Sequence, residues 1–391
     1  MSVGSHTEGL DHDNSPTQIS EFSTTEFRLG RRPSLDGLRA LAVLAVLARH
    51  AEVPLGDGGF LGVDIFFVLS GLLITALLLE EHRRSDRINL RRFMARRVRR
   101  LLPAFIAFVV GTLAIVYPNV TTGQRRSLLG GLASSVLYVR NWDQIISGRG
   151  LAGFTQPHLW SLAVEEQFYL VWPILFLGIV SWRGRTRLMP PLLALFSLSA
   201  MLAVVLLVVT NDNQRLYLGT DVRAAQVLAG ALGAVLIYRA GSLTLPKTIA
   251  RVPTDLALAA LISAVVLIVG VIGEPRFATV YYPVGIALFG VLVAAFLVAL
   301  IQTPESRVNR VLSTRPLVFI GSISYSFYLW HTLIITLVTP SSVVRMSWFH
   351  VQMPVLRVGA ALVGSICVAS LSTFTIERWC QSHLFRWADR H

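Results

Sequence analysis

Cysteine and charge are what this sequence has least of. Two cysteines, Cys367 inside an apolar run and Cys380 near the end, form neither a disulfide framework nor a metal-ligand spacing. That argues against redox and zinc chemistry, and no metal is expected. Charged residues are only 15% of the 391, against 53% hydrophobic ones and a mean hydropathy of +0.61, which is the composition of a polytopic membrane protein. Acid is scarcer than base, with 22 acidic residues against 35 basic ones, a formal charge of +13 and a pI near 10.7. In a soluble protein that balance would suggest a polyanionic ligand. Here the arginines crowd the ends of apolar segments, as cytoplasmic loops do, and nucleic acid is excluded as the partner. No apolar h-region precedes Arg31, so the first membrane segment is expected to act as its own uncleaved signal.

Long apolar runs are abundant. A bilayer-spanning helix needs about 20 residues. Ten stretches meet that need, near 37–55, 60–79, 100–117, 159–180, 189–210, 222–238, 255–273, 283–301, 317–338 and 355–376. The expected fold is all-α, a polytopic transmembrane helical bundle of about ten spans. Counting the short, Gly/Ser-rich stretch 127–139 as a further span would put Arg183, Arg185 and Arg187 opposite the other basic loops. Omitting it restores the positive-inside pattern, so 118–158 is read as a long outer loop with a possible re-entrant segment near 127–139. Loop 80–99, the loop with Lys247 and Arg251, and the loop with Arg307, Arg310 and Arg315 then lie in the cytoplasm with both termini. Residues 1–33, rich in Ser, Thr, Asp, Glu and Asn, are expected to be a disordered cytoplasmic tail. Residues 34–380 form the membrane domain and 381–391 a short cytoplasmic tail.

Ionisable residues within these spans mark the chemistry, because a charge at such depth costs on the order of 3 kcal/mol and usually faces a wet cavity or a site. Arg39 and His50 lie in the first span, eleven residues apart. At about 100° per residue they share one stripe, separated by roughly 16 Å along the axis. Nine arginines fall in 80–100, and Arg96, Arg97, Arg99 and Arg100 can grip a multiply charged phosphate with forked hydrogen bonds. Topology and anionic lipid headgroups account for much of the same charge. The fourth span opens HLWSLAVEEQFYLVWP, where helical spacing aligns His158, Ser161, Glu165, Phe168 and Trp172, with Glu166 about 100° away. The ninth repeats the theme with Ser324, Tyr328 and His331. Ser322, Ser324 and Ser326 are read as helix-packing hydroxyls. Asp64 opens the second span at the depth of His50, and is expected to orient it.

Five motifs in order resemble the acyltransferase 3 family of multi-spanning bacterial membrane proteins that O-acylate sugars and other hydroxylated acceptors. They are Arg39 with His50, GGFLGVDIFFVLSGLLIT at 58–75, RRFMARRVRRLLPA at 91–104, HLWSLAVEEQFYLVWP at 158–173 and SYSFYLWH at 324–331, and the likeness covers most of 33–380. The resemblance implies an inner-membrane enzyme with no permanently bound cofactor. It also implies an acyl-CoA donor, often acetyl-CoA, engaged from the cytosol. His50 and Arg39 are then essential, and the arginines near 97 and 100 lie beside the donor. Acyl transfer from thioester to alcohol needs a base or acyl carrier, for which His50 is suited, and a stabiliser of developing charge, for which Arg39 or a backbone N–H is suited. Glu165 or Glu166 can polarise the acceptor hydroxyl, with Glu166 ranked slightly higher by its place in the motif. Asp64, His158, Trp160, Ser161, Tyr328 and His331 are the expected supporting or substrate-contacting residues.

Only ERWCQSHLFRWADRH follows the last span, so the chemistry is expected within the membrane unit. A cell-envelope carbohydrate is the favoured acceptor and a macrolide-type antibiotic its rival. A proton-coupled transporter using the same ionisable groups is the alternative of another class, disfavoured because neither the Arg/His nor the Glu-Glu pattern recurs. The sequence leaves the oligomeric state open.

Overall fold

The structure, a computed structural model, describes residue 1 and residues 29–54, 56–148, 156–184, 187–240, 253–271, 281–339 and 354–383. The expected tail 2–28, Arg185, the loop with Lys247 and Arg251, and most of the C-terminal tail lie outside the described residues. Among those described there is no strand. The helices are α1 (Pro33–His50), α2 (Leu61–Ser85), α3 (Leu90–Val116), α4 (Thr122–Val136), α5 (Arg140–Ile146), α6 (Leu159–Arg183), α7 (Met189–Thr210) and α8 (Asn213–Leu218). They continue with α9 (Thr220–Ala240), α10 (Thr254–Val271), α11 (Ile286–Gln302), α12 (Arg307–Leu312), α13 (Arg315–Ser322), α14 (Ser324–Val338), α15 (Pro354–Leu371) and α16 (Arg378–His383). The protein is an all-α polytopic bundle.

Each of the ten apolar stretches overlaps a described helix, yet fewer qualify as spans: 37–55 runs past the end of α1, and 317–338 is divided between α13 and α14. Among the described residues seven helices are long and apolar enough to cross a membrane, or eight if α13 and α14, bent by 75° about Ile323, count as one broken span. Charge holds back α1, whose 18 residues carry Asp36, Arg39 and Arg49. In α10 the apolar run with described side chains covers only Thr254–Val265. The stretch 127–139 belongs mostly to α4, whose 15 residues are too short to span and which starts at a capping box of Thr121 and Gln124.

The core is a pair of crossed helices. In α2 and α9 most of the spanning window is buried inside the protein, whereas α7 exposes Leu198, Met201, Val204, Val205, Val208 and Val209, the apolar face a bilayer would cover. Small residues set the crossing. A Cβ on Gly71 would sit 1.9 Å from Val227 O, and one on Gly230 2.0 Å from Val68 O, so a larger side chain at either would force the backbones apart.

Two sets of contacts sort the helix ends. The backbone N–H of Leu29 donates to Glu80 Oε1 at 2.7 Å, Tyr238 OH also donates to that oxygen, and Arg96 pairs with Glu81 at 3.2 Å. The start of α1, the end of α2, the start of α3 and the end of α9 therefore share one end, which carries the arginine-rich loop. At the opposite end the α1 terminus with His50 meets the start of α6 and α8. The side chain of Asn141 ties α5 to Leu218 O at 3.1 Å, and Gln144 donates to Pro157 O at 3.2 Å.

Candidate active site

Between these ends lie two cavities that share a wall. The first, of about 80 Å³, is lined by Arg39 from α1, Ser70 from α2, Arg97 and Arg100 from α3, Ser161, Glu165 and Tyr169 from α6, and Ser324, Tyr325 and Tyr328 from α14. The second, of about 350 Å³, is lined by Arg49 and His50, Glu52, His158, Trp160, Tyr217, Tyr282 and Tyr328. Val63 and Tyr328 border both. The partition is hydrogen-bonded: Tyr328 OH lies 2.6 Å from Ser161 Oγ and donates to His158 O at 3.0 Å.

The arginine cavity is cationic with one built-in carboxylate. Glu165 Oε1 accepts from Ser70 Oγ at 2.7 Å, and Ser70 in turn accepts from Tyr169 OH at 2.8 Å. The Arg97 guanidinium lies 3.4 Å from the centroid of the Tyr169 ring, a cation–π contact that fixes its plane. Its buried Nε has no hydrogen-bond partner, a donor left for a ligand. Arg39 Nη1 is 3.5 Å from Asp36 Oδ1. Such a group of forked donors around a small polar cavity suits a phosphate or carboxylate.

The histidine cavity is aromatic. Trp160 packs on Tyr217 with ring centroids 4.8 Å apart, and Tyr217 on Tyr282 at 5.4 Å. Behind that wall Arg223, fully buried, donates through Nη1 to Asp64 Oδ1 at 2.8 Å and through Nε to Tyr217 O at 2.7 Å. Tyr281 OH donates to the other Asp64 oxygen, and the Arg223 guanidinium carbon lies 5.3 Å from the centroid of Trp160. Next to the cavity the rings of His50, His158 and His331 cluster, with centroids 5.0 Å apart for His50 and His331 and 5.1 Å for His158 and His331. Among the described residues no group of three or more His, Cys, Asp or Glu side chains is placed to hold a metal ion.

Most expected site residues are thus gathered, with corrections. Arg39 and His50 share a stripe, about 16 Å apart along α1, and line different cavities. Asp64 does not orient His50; its partners are Arg223 and Tyr281, because a fully buried carboxylate is satisfied by the strongest donors that α9 and the segment before α11 present. Of the arginine cluster, Arg97 and Arg100 reach the cavity, Arg96 turns to Glu81, and Arg99 is not among the lining residues. Glu165 lines the cavity and its neighbour Glu166, about 100° round the helix, does not. The α6 stripe continues to Tyr169 rather than Phe168, which stacks on Trp172 at 5.4 Å while the Trp172 indole donates to Thr75 Oγ1 at 2.9 Å. Of the serines read as helix-packing, Ser326 donates to Ser372 Oγ at 3.4 Å and to Glu377, whereas Ser324 lines the cavity.

Sequence reasoning missed Ser70, Tyr169, Tyr217, Tyr282 and Arg223. Arg223 carried a usable signal, a charge at the start of an apolar run, the same one that singled out Arg39. The hydroxyls and rings carried none, since their surroundings come from other helices.

The model of the acyltransferase 3 family, described as an acyltransferase domain, matches residues 32–374. A peptidoglycan O-acetyltransferase, OatA, from Listeria monocytogenes is 37% identical over 364 residues, which are 90% of this chain and 56% of the relative. An O-acetyltransferase, OatA, from Staphylococcus aureus is 35% identical over 330 residues, 78% of this chain and 51% of that protein. The chain therefore spans about half the length of the curated relatives it matches. No solved structure matches it.

Proposed function

This chain belongs to the acyltransferase 3 family, and from that premise we propose that it is an integral-membrane O-acetyltransferase that moves an acetyl group from acetyl-CoA to a hydroxyl of a cell-envelope glycan. The observation that carries the reading is the pair of cavities divided by Tyr328 and Ser161, one furnished with Arg39, Arg97 and Arg100 and the other with His50. The first suits an anionic donor and the second an acceptor hydroxyl. The names of the relatives support the glycan.

The donor is engaged from the cytosolic side, where the positive-inside rule puts the arginine-rich end. Arg97 and Arg100 hold phosphate oxygens by forked hydrogen bonds. The separation of about 16 Å between Arg39 and His50 matches the reach of an extended pantetheine arm, so the phosphates can stay at the arginines while the thioester arrives beside His50. A cavity of about 80 Å³ holds water but not that arm, so Tyr328 must swing away from Ser161 as the donor enters. The acceptor enters the larger cavity, where the flat faces of Trp160, Tyr217 and Tyr282 suit the apolar faces of a sugar ring.

As general base, His50 takes the proton of the acceptor hydroxyl as its oxygen bonds to the thioester carbonyl carbon. The C–S bond then breaks and His50 returns the proton to sulfur, releasing CoA. Closing the site against water keeps the thioester for the alcohol. Purified protein in lipid nanodiscs tests the reading: wild type is expected to release CoA from acetyl-CoA and to label glycan fragments from labelled acetyl-CoA. His50→Ala, inserted and monodisperse, is expected to do neither. Absence of both release and saturable CoA binding in wild type would overturn it.

A further inference from the structure

We infer that His331 is a positioning residue that, as a second acceptor beside the Val46 carbonyl, helps hold His50 in the tautomer able to act as base, a role that rests on the reading of His50 given above. His331 is fully buried, edge-on to His50 at 62° on one side and to His158 at 71° on the other. Its Nδ1 lies 2.7 Å from the backbone carbonyl oxygen of Tyr328. A carbonyl can only accept, so Nδ1 carries the hydrogen and Nε2 of the neutral ring presents a lone pair. That Nε2 lies 3.3 Å from Nδ1 of His50, which is also 2.9 Å from Val46 O. Both neighbours of His50 Nδ1 are therefore acceptors, and the hydrogen of His50 sits on Nδ1. Its Nε2 is left bare, and the ring lines the acceptor cavity.

The Val46 carbonyl and His331 Nε2 thus share the hydrogen on His50 Nδ1, and His331, its own tautomer set by the Tyr328 carbonyl, orients the His50 ring as a carboxylate usually does for a catalytic histidine. Two carboxylates of this region are engaged elsewhere: Asp57 pairs with Arg49 at 2.8 Å and Asp64 with Arg223. During transfer the hydroxyl proton goes to His50 Nε2 while Nδ1–H stays on its two acceptors. The same Nε2 proton then passes to the departing sulfur, so no further acid or base is needed. Thr332 Oγ1, 3.0 Å from His158 Nδ1, holds the outer ring of the cluster and keeps the His331 ring wedged.

The test uses the full chain in nanodiscs, with His331→Leu, which removes the acceptor, and His331→Gln, whose amide oxygen returns one near the former Nε2. His331→Leu is expected to lower kcat for CoA release about 10- to 100-fold with KM for acetyl-CoA unchanged, and His331→Gln to recover most of the loss. Nitrogen-15 spectra of histidine-labelled protein, with the His50 signals assigned by their loss in His50→Ala, are expected to show Nδ1–H and a bare Nε2 in wild type and a mixture in His331→Leu. Wild-type kcat in His331→Leu, equal damage in both variants, or a His50 proton on Nε2 in the wild-type spectrum would each overturn the inference. If the Leu variant fails to fold, the wild-type and Gln spectra decide it. If wild type proves not to turn over acetyl-CoA, the proposed function falls, and the spectra still judge the pairing.

Discussion

Glu165 and Glu166 are adjacent in sequence, and the helix sends them to different surroundings. Glu165 enters the arginine cavity, held by Ser70, while Glu166 is half-buried beside it. Glu165→Gln keeps the shape but exchanges for an amide the carboxyl that accepts from Ser70, at the head of the Ser70–Tyr169 chain on which Arg97 stacks, and is expected to lower kcat/KM for acetyl-CoA about tenfold through the order of the arginine cavity rather than through proton transfer, whereas Glu166→Gln retains most activity. Equal loss in both variants would return the role to the pair. Arg97→Lys keeps a charge but loses the fork and the stacking on Tyr169. It is expected to raise KM for acetyl-CoA about tenfold with little change in kcat, measured by CoA release. Helical arithmetic made Arg39, His50, Glu165 and Tyr328 legible in the sequence, because intramembrane ionisable and hydroxyl groups stand out against apolar neighbours. The same arithmetic put Glu165 and Phe168 on one stripe, and of these Glu165 lines the cavity while Tyr169 takes the place expected for Phe168. A stripe has width, and only the packing of α1, α2, α3 and α14 around α6 decides which edge faces the cavity.

Two of the polar joints between elements make different demands. The joint of α2 with α9 is the buried Asp64–Arg223 pair, with neither side chain exposed. Asp64→Asn leaves the Arg223 charge uncompensated among Phe67, Trp160 and Tyr217, and is expected to cost about 3–5 kcal/mol. The measurement is a lowered thermal or chemical unfolding midpoint in nanodiscs; loss of activity at unchanged stability would instead make Asp64 part of the reaction. The joint of α6 with α14 is the bond between Ser161 and Tyr328. Tyr328→Phe removes it and loosens the partition, so acetyl-CoA hydrolysis without acceptor is expected to rise relative to transfer. Helices were easily read from the sequence because an apolar run of membrane length has few alternatives. The break at Ile323 and the pairing of Asp64 were not, since a bend within an apolar run leaves the hydropathy unchanged, and the guanidinium that claims Asp64 comes from 159 residues away.

At the scale of the whole molecule the two ends carry opposite chemistry, and sidedness becomes the test. Arg84, Arg87, Arg91, Arg92 and Arg96 line a groove at the end where α2 closes and α3 opens. Arg97 and Arg100 continue the same helix into the arginine cavity. The histidine cavity lies toward the other end, behind Tyr328. If the arginine end faces the cytosol, as the bias of basic loops requires, the donor and acceptor approach from opposite faces of the bilayer. Acetyl-CoA does not cross a sealed membrane. Vesicles holding the protein in one orientation are therefore expected to release CoA from external acetyl-CoA only when the arginine-rich loop faces outward, and to label external glycan fragments only when the His50 end does, with acetyl-CoA trapped inside. Rising ionic strength is expected to raise KM for acetyl-CoA, because the exposed arginines of the groove are screened over about 8 Å at physiological salt, while the half-buried Arg97 guanidinium on Tyr169 is screened less. Release from the opposite orientation would invert the topology and exchange the roles of the two cavities. Release from both would show that the Tyr328–Ser161 partition does not separate donor from acceptor.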